Sequence, residues 1–215
     1  MNQSLIITEI YPTIQGEARY AGWPCVMVRL SGCPLRCRWC DTAHSFEGGE
    51  KLSMDVIHGR ITAFGIKHVE FTGGEPLAQP QVASLMQRLA GEDYTVMVET
   101  GGSEPIEILD QRVHIIMDLK CPDSGMVDRN RLENLKYLKA TDEIKFVIAS
   151  RADYEWAAAM VKDHKLDERF GVLFSSAFAQ LPSKDLSAWM VEDRLPVKLN
   201  LQWHKYIWSP RAKQV

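Results

Sequence analysis

Short apolar, β-branched runs recur along the chain, at residues 5–10, 26–30, 68–71, 95–98, 113–117, 144–149, 172–174 and 197–201. Each has the length of a strand buried on both faces. Between most of them the apolar positions change to helical spacing. Residues 54–64 carry Met54, Ile57, Ile61 and Phe64, with Gly65 as a stop signal. Residues 81–90 carry Val82, Leu85, Met86 and Leu89, with Pro80 suited to the first helical position and Gly91 to the end. Leu132, Leu135 and Leu138 predict a helix over 131–139. Ser150 and Ser183 are suited to cap helices over 152–163 and 184–193. Strands alternating with helices imply βαβ crossovers and a mostly parallel sheet. About six repeats fit, fewer than the eight of a closed barrel. The predicted architecture is α/β: an incomplete (β/α)6-type parallel barrel with N- and C-terminal additions. A doubly wound open sheet is the alternative. In both, the working groups belong at the C-terminal ends of the strands.

Composition narrows the class. The chain has 215 residues, 46% hydrophobic and 25% charged, which suits a single domain over residues 1–215. Lys and Arg number 25 against 28 Asp and Glu, a net charge of −3, so this is no basic protein built to coat nucleic acid. The uncharged apolar runs are too short for a membrane span, and the first residues show no secretory signal. The expected location is the cytoplasm, where thiols stay reduced.

An odd count of five cysteines argues against a disulfide framework. Three of them lie in Ser31-Gly32-Cys33-Pro34-Leu35-Arg36-Cys37-Arg38-Trp39-Cys40-Asp41-Thr42, directly after the run 26–30. Gly32 and Pro34 make this segment a loop at a strand's C-terminal end. Three thiolates converging in a loop can hold a [4Fe–4S] cluster by three of its irons and leave the fourth open to a small molecule. Three other readings of the spacing stand beside it. One is a structural zinc site completed by His44. Another is an electron-transfer cluster completed by Cys25 or Cys121. The last is a set of unrelated buried cysteines.

The spacing Cys33-x3-Cys37-x2-Cys40, with Trp39 before the last cysteine, resembles the radical S-adenosylmethionine (SAM) superfamily. That resemblance implies a [4Fe–4S] cluster on the three cysteines, with SAM bound to the open iron through its amino and carboxylate groups. Reduction then cleaves SAM to methionine and a 5′-deoxyadenosyl radical. Thr72-Gly73-Gly74-Glu75-Pro76 follows the run 68–71. Bare glycines let backbone approach a ligand, and Glu75 offers the acceptors an ammonium group requires. The stretch resembles the superfamily's SAM-amino-binding element. Polar residues also end later strands, at Glu99-Thr100-Gly101-Gly102, Asp118-Leu119-Lys120 and Phe174-Ser175-Ser176-Ala177. By resemblance, Trp39, Cys40, Asp41, Gly74, Glu75, Gly101, Asp118, Leu119, Lys120 and Ser175 lie along SAM.

Two further stretches resemble the 7-carboxy-7-deazaguanine synthase family of queuosine and deazapurine biosynthesis. They are Ile10-Tyr11-Pro12-Thr13-Ile14-Gln15-Gly16-Glu17 and Asp41-Thr42 after the last cysteine. Leu201-Gln202-Trp203-His204-Lys205-Tyr206-Ile207 is similar to that family's ending. The resemblance implies a lyase that converts 6-carboxy-5,6,7,8-tetrahydropterin to 7-carboxy-7-deazaguanine with loss of ammonia. It implies a magnesium ion held at Thr42, with Asp41 supporting it or touching SAM. Arg29 would pair with the substrate carboxylate, while Ile14, Gln15, Gly16 and Glu17 meet the guanidine-like pterin edge. Thr72, Thr100, His204 and Pro210 complete the substrate contacts. No side chain is assigned as acid, base or nucleophile, since the radical chemistry runs at the cluster and SAM. The family also implies a homodimer, a flavodoxin- or ferredoxin-like one-electron reductant, and no direct nucleic-acid or membrane partner.

The chain departs from the family pattern at four places. Ala18 follows Glu17 where Gly or Thr is usual, Gly101 follows Thr100, Ser176 replaces a frequent Pro, and residues 211–215 run past Pro210. A glycyl-radical enzyme activase has similar cysteine spacing but would lack the Gln15-Gly16-Glu17 element. A zinc-binding module is the non-enzymatic alternative.

Overall fold

A computed structural model describes residues 4–209, 212 and 214. The strands are β1 (Ser4–Ile14), β2 (Pro24–Leu30), β3 (Glu50–Ser53), β4 (His68–Gly73), β5 (Thr95–Thr100), β6 (His114–Leu119), β7 (Glu143–Ile148), β8 (Gly171–Ser176) and β9 (Lys198–Leu199). They form one sheet in the order β3-β1-β2-β4-β5-β6-β7-β8-β9. From β2 to β9 every neighbouring pair is parallel, while β1 pairs antiparallel with β2 and β3. The parallel strands follow chain order without reversal. A doubly wound sheet requires a reversal, so the open, singly wound partial barrel is the architecture present. Right-handed crossovers then put the helices on one face.

The helices α1 (Met54–Ala63), α2 (Val82–Gly91), α3 (Arg151–Asp163), α4 (Leu166–Arg169), α5 (Ser183–Glu192) and α6 (His204–Ile207) complete the chain. Ile57 and Ile61 of α1, Leu85 and Leu89 of α2, and Tyr154 and Val161 of α3 pack against Val69, Phe71, Val98 and Phe146. Ser150 caps α3, its hydroxyl accepting from Asp153 N. Ser183 instead opens α5, with Pro182 at the cap, and its hydroxyl meets that of Ser176 at 2.8 Å.

The opposite face holds a second, smaller cluster of Cys25, Met97, Ile116, Leu173 and Ala18. Ala18 stands in the loop between β1 and β2, so this loop fills the barrel floor. Its φ is +64°, the left-handed region that favours glycine, which gives the family's frequent Gly here a physical reason. The buried methyl group offsets part of that strain. Side chains alternate along a strand, so two residues beyond this floor the same face shows Glu99, Asp118 and Ser175.

The structure departs from the sequence reading in four further segments. The run 197–201 shortens to the two-residue edge strand Lys198–Leu199, which is not buried. The run 5–10 is part of a longer, half-exposed antiparallel strand, not one buried on both faces. Glu50–Ser53 forms a strand that its single buried apolar residue, Leu52, did not signal. The helix expected over 131–139 is a 3-10 turn at Leu132–Lys136. There Asn134 is fully buried and donates to Gly102 O and Glu104 O, at 3.0 and 2.9 Å. Such side-chain bonds to remote backbone compete with helix propagation.

Candidate active site

The cysteine loop leaves the C-terminal end of β2 and is fastened by backbone bonds. Gly32 N donates to Ser45 O at 2.8 Å, Arg38 N to Ser124 O at 3.1 Å, and Cys40 N to Cys37 O at 3.2 Å. Cys33, Cys37 and Cys40 are free, half-buried thiols on the wall of one cavity of about 630 Å³. Burial pushes the Cys33 and Cys37 thiols up, against the pull of the Lys120 ammonium. Among the described residues, no three His, Cys, Asp or Glu side chains stand close enough to share one metal ion. A zinc site needs such convergence, with ligands at about 2.0–2.3 Å, whereas a cube takes each thiolate on a different iron. His44 lies 3.7 Å from Glu9 and does not complete a zinc set. Cys25 is packed in the barrel floor and Cys121 in the outer core, so neither supplies a fourth ligand at the cavity.

Beside this loop, β4 delivers Gly73 and Gly74. A Cβ on Gly74 would stand 2.0 Å from Gly32 O, and one on Gly73 (φ +133°) 2.3 Å from Leu30 O. Glycine is therefore required for the two segments to meet, and Gly74 N and Glu75 N donate to Leu30 O and Gly32 O at 3.0 and 2.8 Å. The Glu75 carboxylate is buried and well partnered. It accepts from Thr100 Oγ1 and Gly101 N at 2.7 Å each, and from Leu77 N at 3.1 Å. Burial pushes its carboxyl up, against those hydrogen bonds. Gly101 is closely packed: a Cβ would stand 2.9 Å from Leu35 Cδ1, which would have to shift, and 3.3 Å from Glu75 Oε2.

On β6, Asp118 Oδ2 accepts from Lys120 Nζ at 2.7 Å, while its buried Oδ1 has no partner among the described residues. Such an orphaned acceptor facing a cavity is suited to a ligand's donor. Ser175 Oγ accepts from Asn200 Nδ2 at 2.9 Å. Leu119 is the exception in this stretch, because its side chain is fully buried in the outer core and not on the cavity wall.

The other wall joins the two ends of the sequence. Trp203 N donates to Gly16 O at 3.0 Å, and the His204 ring packs where a Cβ on Gly16 would stand, 2.5 Å from Nδ1. Burial lowers the His204 pKa. Glu17 is tied by Gln202 Nε2 at 2.9 Å to Oε1, and by Asn200 Nδ2 and Lys145 Nζ at 2.9 and 3.1 Å to Oε2. Lys145 also pairs with Glu99. Arg29 is mostly buried, its Nε donating to Glu9 Oε1 at 2.6 Å and its Nη2 to Tyr11 at 3.4 Å. Thr42 Oγ1 lies 3.4 Å from Gly73 O and 3.6 Å from Cys40 Sγ, and makes no cap bond to the turn that follows. Asp41 meets Lys205 at 3.0 Å and Gln202 at 3.4 Å.

The cavity wall includes every other residue singled out in the sequence, among them Ile14, Gln15, Trp39 and Thr72. Pro210 lies outside the described residues. Sequence reasoning missed Glu9, Glu70, Lys145, Asn200 and Gln202. A signal existed for two of them: Glu70 and Lys145 are charged residues within runs expected to be buried strands, and Glu143-Ile144-Lys145-Phe146 alternates charge with apolar positions.

Comparison with known proteins agrees with this geometry. A family model described as the radical SAM superfamily matches residues 27–142. A 7-carboxy-7-deazaguanine synthase of Chlorobaculum tepidum is 43% identical over 98% of this chain and 97% of its own length. One of Koribacter versatilis is 44% identical over 97% and 99%. The crystal structure of QueE from Escherichia coli superposes with a TM-score of 0.78, covering 94% of this chain and 95% of that one at 21% identity.

Proposed function

The chain belongs to the 7-carboxy-7-deazaguanine synthase family of radical SAM enzymes, and we propose that it converts 6-carboxy-5,6,7,8-tetrahydropterin to 7-carboxy-7-deazaguanine with loss of ammonia. The observation that carries this reading is the meeting of the Gln15-Gly16-Glu17 turn with His204 in the same cavity that the three free thiols line. Neither a glycyl-radical activase nor a zinc module is favoured.

The chain's residues fit the cofactors. Three thiols from one loop suit a [4Fe–4S] cluster. The glycine pair, Glu75 and the orphaned Asp118 oxygen suit the polar groups of SAM. Cys33, Cys37 and Cys40 would hold the cluster; Trp39, Asp41, Gly74, Gly101, Lys120 and Ser175 would flank SAM. When bound and reduced, the cluster with SAM supplies the radical that takes hydrogen from the substrate. Arg29, held by Glu9 and Tyr11, receives the substrate carboxylate, and Glu17 with the backbone of residues 14–16 receives the pterin edge. Thr72, Thr100 and His204 close around the ring. Thr42 offers a hard oxygen suited to magnesium. The same reading takes residues 1–215 as one domain, working as a cytoplasmic homodimer fed by a flavodoxin- or ferredoxin-like reductant.

An anaerobic reaction read by mass spectrometry tests this. It holds iron-loaded protein, reductant, SAM and the tetrahydropterin, with and without magnesium. The expected result is 7-carboxy-7-deazaguanine with 5′-deoxyadenosine, formed faster with magnesium. Deoxyadenosine without the deazaguanine would overturn the substrate, and neither product from protein with a full cluster would overturn the reading as a whole.

A further inference from the structure

Inside the barrel mouth two carboxylates share one ammonium. Lys145, on β7, is 4% exposed. It donates to Glu17 Oε2 at 3.1 Å and to Glu99. The floor beneath is apolar, with Met97, Ile116 and Leu173, so the fold is able to fill its interior without charge. Burying the Lys145 ammonium above that floor, with two half-buried carboxylates against it, costs more than an apolar filling, which argues that the charges serve a ligand.

The three groups are not equivalent. Glu99 and Lys145 stand on strands, but Glu17 stands in the loop between β1 and β2. Its position depends on what holds it. Asn200 and Gln202, both beyond β9, supply neutral bonds at 2.9 Å. Lys145 supplies the charge and the link to the central sheet. Two carboxylates against one ammonium leave a negative surplus at the cavity wall. Glu70, on the neighbouring strand, supplies no positive charge to offset it; burial and then the charge of Glu99 push its carboxyl up, toward the neutral form. A negative surplus with carboxylate geometry suits a ligand edge of adjacent N–H donors and rejects an edge that presents a carbonyl oxygen.

We propose that Lys145 is a positioning residue for substrate choice: by clamping Glu17 to Glu99 it fixes the acceptor edge that selects the guanidine-like side of a pterin over an oxo analogue. This rests on the pterin reading above.

The test is equilibrium binding, without turnover, to the full chain carrying its cluster and SAM. The probes are 6-carboxypterin and 6-carboxylumazine, which has an oxo group in place of the 2-amino group. The unaltered protein prefers the pterin. Lys145→Met lowers affinity for the pterin ~10- to 100-fold and for the lumazine less than ~3-fold, the loss expected of a charge-assisted contact. Lys145→Arg keeps most of the preference. SAM affinity and cluster absorbance stay unchanged in both variants. A K145M protein that loses both pteridines equally, loses SAM in parallel, or keeps the full preference overturns the proposal. If K145M does not fold, Lys145→Gln carries the same comparison, and an intact preference in it is equally fatal. An unaltered protein that binds neither pteridine overturns the pterin reading, and the role of Lys145 falls with it. One that binds the pterin while K145M keeps the preference overturns the role of Lys145 alone.

Discussion

On one wall of the cavity, Cys33, Cys37, Cys40, Gly74 and Glu75 come from two short segments at neighbouring strand ends, fastened to each other by backbone hydrogen bonds. On a second wall, Gly16, Glu17, Lys145 and His204, with Asn200 bonded to Glu17, come from distant segments, and most of their links are side-chain bonds and ion pairs. The first wall has backbone atoms where any added side chain would go. The second has side chains that are able to turn. The cofactor wall should therefore fail all at once and the substrate wall by degrees.

Gly74→Ala should have the largest effect. Its methyl would meet the Gly32 carbonyl at 2.0 Å, and backbone on both sides has nowhere to move. We expect loss of more than ~3 kcal/mol of stability and of the bound cluster, read by thermal unfolding and by iron and sulfide content. Gly16→Ala makes the matching change on the second wall. There the obstacle is the His204 ring, 2.5 Å away, which is half-buried and able to rotate. Iron content should be unchanged and KM for the pterin should rise ~3- to 10-fold, the cost of one displaced contact. Equal damage from the two substitutions would dissolve the distinction.

A third effect concerns the charge inside the barrel. Burial and the charge of Glu99 push the Glu70 carboxyl up to about 8, from 4.5 for an ordinary glutamate. Between those values the folded chain holds the proton and the unfolded chain has lost it, so this group makes stability fall as pH rises through the window. Glu70→Gln removes that slope. Its melting temperature relative to the unaltered protein should rise from the lower to the upper end of the window, measured by calorimetry. A constant difference would mean that Glu70 is already ionised at the lower end.

The two walls also differ in how far the sequence reveals them. Cys33, Cys37 and Cys40, and Gly73, Gly74 and Glu75, are legible because each set is contiguous and its residue types are demanded by local backbone. The strand runs, expected to stop at 71, 98 and 117, continue to Gly73, Thr100 and Leu119, so the polar site residues stand on the strands themselves. Lys145 and Asn200 are not legible in this way. Lys145 is set by the register of β7 against β6, where it pairs with Asp118, and Asn200 by a bond from its backbone N–H to Phe174 O. Neither pairing has a local signature. Leu119 shows the converse limit: a motif read as a unit assigned three neighbours to one wall, while strand alternation turns the middle one into the core.

On the proposed function, one cavity would hold SAM on its backbone-built wall and the pterin on the wall organised around Glu17. The most direct measurement is the ratio of 5′-deoxyadenosine to 7-carboxy-7-deazaguanine formed by Glu17→Gln. If the walls act separately, SAM cleavage continues while product formation falls ~10-fold or more, and the ratio rises well above that of the unaltered protein. A fall of both products in step, with the ratio unchanged, would mean that the two walls do not act separately.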